Sequence, residues 1–191
     1  MAQAKSPEFA SGGVGWKHRE RKLSQSLAFE GALSQNSVPT LHRTMKTTTD
    51  LTKNPPRSPK ARLGGYALLP RMLDKCRAEI AGKAGTFHYA CPNDQRILDF
   101  LGVGAEALKT EVAKGGGDGE ILAWIQANQK NRPTPGEIEA WSDGQDKRKP
   151  TSGDQKVFNQ YLAECAPHRK DIVYWSDLLD LDDYVSYGGK A

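Results

Sequence analysis

The sequence predicts a mainly α-helical fold, a compact multi-helix single domain with at most one small two-stranded β element. Three observations lead there. Apolar residues recur at helical spacing in one segment after another. Proline and glycine stand at the ends of those segments instead of inside them. β-prone runs number only two, Thr86–Tyr89 and Ile172–Tyr174, and both are short.

Residues 1–44 mix Ser, Gly, Gln and scattered charge, and they sustain no apolar period for longer than a turn. They are expected to form a disordered N-terminal extension. The alternative is that Met45 is the true start, since MKTTTDLTKNPPRSP leads straight into the organised part. Residues 45–191 are read as one helical domain.

Organisation begins at Pro55. Ser58 and Pro59 give a helix-start signal, Ser as a cap and Pro at the first helical position. The turn PKARL is expected to close at Gly64 and Gly65. A helix then begins between Tyr66 and Leu69, with Leu69, Met72, Leu73, Cys76 and Ile80 forming one narrow apolar stripe. Pro70 is tolerated because first-turn N–H groups lack intrahelical partners. Gly82 ends this helix, and Thr86–Tyr89 follows as the first β-prone run.

The segment Cys91–Asp94 reads as punctuation before a short helix through Ile97, Leu98, Phe100 and Leu101, closed by Gly102. Ala105–Lys114 is the next helix, with Leu108 and Val112 inward. Asp118 is placed as the N-cap of a helix carrying Ile121, Leu122, Trp124 and Ile125. Thr134-Pro135-Gly136-Glu137 is a capping box introducing Ile138 and Trp141. Val157, Phe158, Tyr161, Leu162 and Cys165 mark a further amphipathic helix that stops before Pro167. Ile172–Tyr174 is the second β-prone run, able to pair with the first, and Ser176 caps a last turn ahead of the acidic DLDDY segment. The tally is seven or eight helices.

Composition removes several function classes. The net charge is +4 over 191 residues, but six basic and three acidic residues precede Met45, so the domain itself carries only +1. A near-neutral domain without a basic groove does not suggest nucleic-acid binding, and Trp124, Trp141 and Trp175 read as core. Three widely spaced cysteines without CxxC fit reduced thiols and a cytoplasmic setting. No apolar run approaches the roughly 18 residues of a membrane span, and no cofactor signature is present.

The candidate chemistry gathers around the first long helix. Arg57, Tyr66, Arg71 and Asp94 are ligand-binding candidates, because Arg57, Arg62, Arg71 and Lys75 lie near a glycine pair leading into a helix N-terminus, where an anion is favoured. Nothing there matches a specific phosphate loop. Arg71, Asp74 and Lys75 fall opposite the apolar stripe and read first as a solvated face with weak intrahelical pairs. If the second half of the chain folds back over them, Asp74 and Lys75 become candidates for acid and base chemistry.

No metal is expected. The alternative is that His88 and Cys91, in H-x2-C, join Cys165 and His168, in C-x2-H, as four ligands. Cys91 near His88 also stands as a weak nucleophile candidate. The aspartates Asp177, Asp180, Asp182 and Asp183 read as a solvated acidic end, without the spacing of a calcium loop.

The motifs PPRSP-x-x-RLGGY, LPRMLDK-x-R, FHYACP-x-DQR, GDGEILAWI and DLLDLDDYVSYGG, running from about Asp50 to the C-terminus, resemble the bacterial family known as domain of unknown function 5069. The resemblance implies one domain over that span and implies no activity. Two functions therefore stand open. One is a small cytosolic enzyme or binding protein for a phosphorylated or carboxylated small molecule, using Arg57, Tyr66, Arg71, Asp74, Lys75 and Asp94. The other is a non-catalytic interaction domain in which those residues fix the fold and the acidic C-terminus meets a protein partner. Oligomeric state is left open by both.

Overall fold

One helix runs through the middle of the structure and is covered on all sides. In this computed structural model, which describes residues 48–191, that helix is α1 (Leu69–Ile80). All ten residues from Leu69 to Ala78 are buried, the charged ones included. Around it follow α2 (Pro92–Leu101), α3 (Ala105–Val112), α4 (Asp118–Asn128), α5 (Pro135–Asp146), α6 (Gln155–Cys165) and α7 (Trp175–Ser186). The described residues belong to one compact unit. The mainly helical reading of the sequence holds for them. The expected disorder of residues 1–44 and the choice of Met45 lie outside the described residues.

The ends of α1 show how local chemistry sets its length. Leu68 caps it at φ 66, unusual for a residue with a side chain, and its N–H donates to the Pro59 carbonyl at 3.0 Å. At the other end the Gly82 N–H bonds the Glu79 carbonyl and the Lys83 N–H bonds the Ala78 carbonyl, the paired closure that needs a left-handed residue at Gly82. The apolar stripe of α1 packs against Ile97, Leu98 and Leu101 of α2, Leu108 and Val112 of α3 and Ile121 and Ile125 of α4. A second apolar cluster joins Phe158 of α6 to Trp175 and Leu178 of α7. Phe158 and Trp175 meet edge to face at 5.1 Å.

Several expectations are corrected. PKARL is not a helix. Ser58 makes a local turn, accepting the Lys60 N–H on Oγ and the Ala61 N–H on its carbonyl, with the fixed φ of Pro59 suited to the second position of that turn. Gly64 and Gly65 instead form a two-residue reversal in which Leu63 and Tyr66 exchange both backbone bonds, with φ positive at both glycines. A Cβ on Gly64 would stand 2.7 Å from Leu122 Cδ2. Gly64→Ala is therefore expected to destabilise the protein by about 1–2 kcal/mol, read as a lowered urea midpoint at unchanged slope.

Neither β-prone run is a strand, and no strand is present among the described residues. Thr86–Tyr89 is bounded by Gly85 at φ 59 and Ala90 at φ 57, so its backbone turns at both ends, and the Tyr89 N–H goes to the Glu79 carboxylate in place of a sheet partner. The second run leads into α7, where the Trp175 N–H bonds the Arg148 carbonyl. α2 starts at Pro92, earlier than expected, with Pro at its first position. Asp118 is the first residue of α4, not its cap. α7 absorbs the whole DLDDY segment, and the Ser176 hydroxyl donates to the Asp146 carbonyl instead of capping. No helix among the described residues is long and apolar enough to cross a membrane.

Candidate functional site

The polar residues of α1 are drawn into ion pairs by carboxylates from far along the chain. The solvated-face expectation for Arg71, Asp74 and Lys75 is overturned. Arg71 is 6% exposed and Lys75 4%, because α7 and α2 lie over them. Arg71 Nη1 donates to Asp183 Oδ2 at 2.5 Å and Nη2 to Oδ1 at 3.2 Å, a two-pronged contact with α7. Lys75 Nζ lies 2.6 Å from Asp94 Oδ1 on α2 and 3.1 Å from Cys91 Sγ at the α2 N-cap. Asp74 takes both the backbone N–H and the side chain of Arg57, at 2.9, 2.9 and 2.8 Å. Arg57 continues to Asp118 at 2.5 Å, and Arg77 reaches the same carboxylate at 2.6 Å.

The electrostatics follow from burial against pairing. Burial works against the charge of Arg57, but the hydrogen bonds it donates to Asp74 and Asp118 outweigh this and raise its pKa above the ordinary value. Burial pushes Asp118 up, and Arg57 and Arg77 together bring it below its usual range. Asp94 is the exception. Burial pushes its carboxyl up, and the opposing pull of Lys75 and Arg71 does not restore it. The Ala90 backbone N–H adds to that pull, and Asp94 is 2% exposed, with no hydrogen-bond partner for its Oδ2 among the described residues.

Of the four ligand candidates, Arg57 and Arg71 are joined through the Arg57 carbonyl, Asp94 sits in its own pair with Lys75, and Tyr66 is part of neither. Its ring meets Phe100 edge to face at 6.3 Å and its hydroxyl lies 3.5 Å from Gln129 Oε1. Each basic group of the network already faces a carboxylate of the chain. His88, Cys91, Cys165 and His168 are not gathered: among the described residues no three His, Cys, Asp or Glu side chains form a group able to hold a metal. The acidic end is not a free surface either. Asp177 pairs with Lys60, Asp180 accepts the Ser58 hydroxyl, and Asp183 holds Arg71.

A second polar site escaped the sequence reading. A cleft of about 900 Å³, open to solvent, lies between α2 and α5. Its lining includes Arg96, Arg132, Phe100, Pro133 and Trp141, together with the carboxylates Asp99 and Glu137, which accept from Gln95 and Thr134. Phe100 and Trp141 stack face to face at 4.6 Å and 9°. The capping box at Thr134 sets where α5 begins: its Oγ1 accepts the Glu137 N–H at 3.3 Å while Glu137 accepts the Thr134 N–H at 2.7 Å. Ser142 then docks α5 by accepting the Ala67 N–H and donating to the Gly65 carbonyl.

Arginine pairing separates this cleft from the rest of the described surface. Arg57, Arg62, Arg71, Arg77, Arg148 and Arg169 each hold a carboxylate. Arg96 and Arg132 hold none, and both line the cleft. Arg96 is fixed through Nε to Gln145 at 2.8 Å. Burial, then the neighbouring Arg148 guanidinium, disfavours its charge. Only the Thr134 capping box was legible beforehand: Arg96 closes the FHYACP-x-DQR run with no role assigned to it, Arg132 stands in no motif, and tertiary packing brings both to one cleft.

No curated protein matches this chain. A family model does, over residues 53–185, from ahead of α1 to the last turn of α7. The chain belongs to the family described as domain of unknown function, DUF5069.

Proposed function

We propose that the domain is a non-catalytic interaction module that takes an acidic, aromatic- or proline-containing segment of a partner protein in the α2/α5 cleft. The observation that carries this reading is that Arg96 and Arg132 form no ion pair beside a stacked aromatic floor, the cleft's own carboxylates Asp99 and Glu137 being held by Gln95 and Thr134, in a domain whose other described arginines all hold a carboxylate. Arginine clusters recognise acidic motifs through planar two-pronged contacts, and aromatic faces add stacking and apolar area. The cleft's openness favours an extended segment over a small metabolite, which would need an enclosing site. In this reading the α1 network is structural, and an anionic metabolite at Arg57, Arg71 and Lys75 would have to displace carboxylates already in place.

Selection of short peptides on the full chain tests the proposal. Binders are expected to be enriched in Asp or Glu beside Trp, Phe, Tyr or Pro. Arg132→Ala and Trp141→Ala should each weaken them about tenfold or more, equivalent to about 1.4 kcal/mol, while Lys75→Arg leaves binding unchanged. Binders without acidic residues, or binding that survives both cleft substitutions, would overturn it. So would strong thermal stabilisation by a carboxylated or phosphorylated metabolite that Lys75→Arg abolishes, which would return the weight to the small-molecule reading.

A further inference from the structure

We infer that Lys75 and Cys91 form a peroxide-driven covalent cross-link, making the junction of α1 and α2 an oxidative modification site. The three described cysteines differ in what surrounds their sulfur. Cys76 is fully buried, and burial pushes its thiol up to about 12, which leaves it inert. Cys165 is partly exposed, and burial and the Asp182 carboxylate both push its thiol up. Cys91 is also partly exposed, so a small oxidant reaches it, and its Sγ lies 3.1 Å from Lys75 Nζ. Ala90, held at φ 57, turns the chain just ahead of Cys91.

Asp94 completes the site. It is 2% exposed, it holds the same ammonium at 2.6 Å through Oδ1, and Oδ2 has no hydrogen-bond partner among the described residues. A buried Lys–Asp pair with one unsatisfied oxygen is a costly arrangement for structure alone. It is well suited to a step in which both charges vanish together. That makes the pair a proton relay beside the sulfur.

The chemistry balances in two steps. A hydroperoxide, with hydrogen peroxide as the simplest case, oxidises the Cys91 thiol to the sulfenic acid and is itself reduced to water. Lys75 then passes one proton to Asp94, and its nitrogen attacks sulfur. An S–N bond forms, the S–O bond breaks, and the departing hydroxide leaves as water with a second proton from nitrogen. The products are a sulfenamide, water and a neutral Asp94 carboxylic acid. Holding the amine against the sulfur makes the second step intramolecular, which gives it the advantage over reaction with external thiols. Reduction by a dithiol such as dithiothreitol returns the free amine and thiol.

The inference does not depend on what occupies the α2/α5 cleft. It is tested on the full chain with hydrogen peroxide, followed by peptide mass mapping without reductant. The expected product joins the Lys75 and Cys91 peptides with a loss of about 2 Da, resists trypsin at residue 75 and reverts with dithiothreitol. Cys165→Ser should leave the cross-link intact, while Cys91→Ser and Lys75→Arg should each abolish it. In Lys75→Arg, Cys91 should proceed to sulfinic acid. Wild-type Cys91 found as sulfenic or sulfinic acid with Lys75 unmodified, Cys91 joined to another cysteine, or Cys91 unoxidised while Cys165 reacts would each overturn the inference. The wild-type map alone decides, so the outcome does not hang on any variant folding.

Discussion

Asp183→Ala is expected to lower stability by about 3–5 kcal/mol, the scale for removing one partner of a buried ion pair and leaving the other uncompensated. Arg71 and Asp183 are both nearly excluded from solvent, and their two-pronged contact is what ties α7 to α1. Once the carboxylate is gone, the direct contacts left to Arg71 among the described residues are the Arg57 carbonyl at 3.2 Å and the Phe87 ring at 5.7 Å, with Asp94 and Asp180 attracting it from farther off. A charge so buried cannot return to water without lifting α7. The informative comparison is the Arg71→Met, Asp183→Leu double variant, which removes both charges and keeps apolar volume. It should recover most of the loss, because the desolvation of two ions then disappears with their attraction. Urea unfolding of the three proteins checks this, and a double variant as unstable as Asp183→Ala would show that the pair stabilises through more than mutual neutralisation.

Lys75→Met should cost a similar amount at neutral pH, and the loss should shrink in acid. Its removal strands Asp94, whose carboxyl burial already pushes above its ordinary 3.8. A carboxyl with a raised native pKa binds its proton more tightly folded than unfolded. Its contribution to stability is therefore complete below 3.8, falls as pH rises from there, and is lost above the native value. Without the ammonium that native value climbs further, so the window widens toward neutrality. Urea midpoints for Lys75→Met should rise from about pH 8 to about pH 5 more steeply than for wild type. Adding Asp94→Asn should flatten the profile and restore stability at the higher pH. A variant that loses stability in acid in parallel with wild type would exclude Asp94 as the group responsible.

Both predictions concern contacts that the linear order of residues does not announce. The stripe Leu69, Met72, Leu73, Cys76 and Ile80 identified the inward face of α1, since a 3.6-residue period forces those side chains onto one side. The same reasoning put Arg71, Asp74 and Lys75 in water, and there it misled. A periodicity argument assumes one buried face, whereas α1 is enclosed by α2 on one flank and α7 on another. Arg71 and Asp183 stand 112 positions apart, and Arg57 and Asp118 stand 61 apart. The β-prone runs failed for a related reason. Thr86–Tyr89 has suitable residues, but a strand needs a partner backbone, and Gly85 and Ala90 turn the chain away from one.

Helix number, most helix ends and the apolar faces were determined by the sequence itself, because capping boxes, proline at first turns, glycine closures and period are local physics acting over a few residues. Only the tertiary structure decided what the charged residues are for. Whether an arginine is solvated, neutralised or left open depends on which carboxylate arrives from elsewhere, and burial multiplies the consequence by lowering the dielectric around the pair. Thus Arg71 and Lys75, conspicuous in sequence, are held by Asp183 and Asp94, while Arg96 and Arg132, to which the sequence reading gave no role, are the pair left facing solvent beside Trp141.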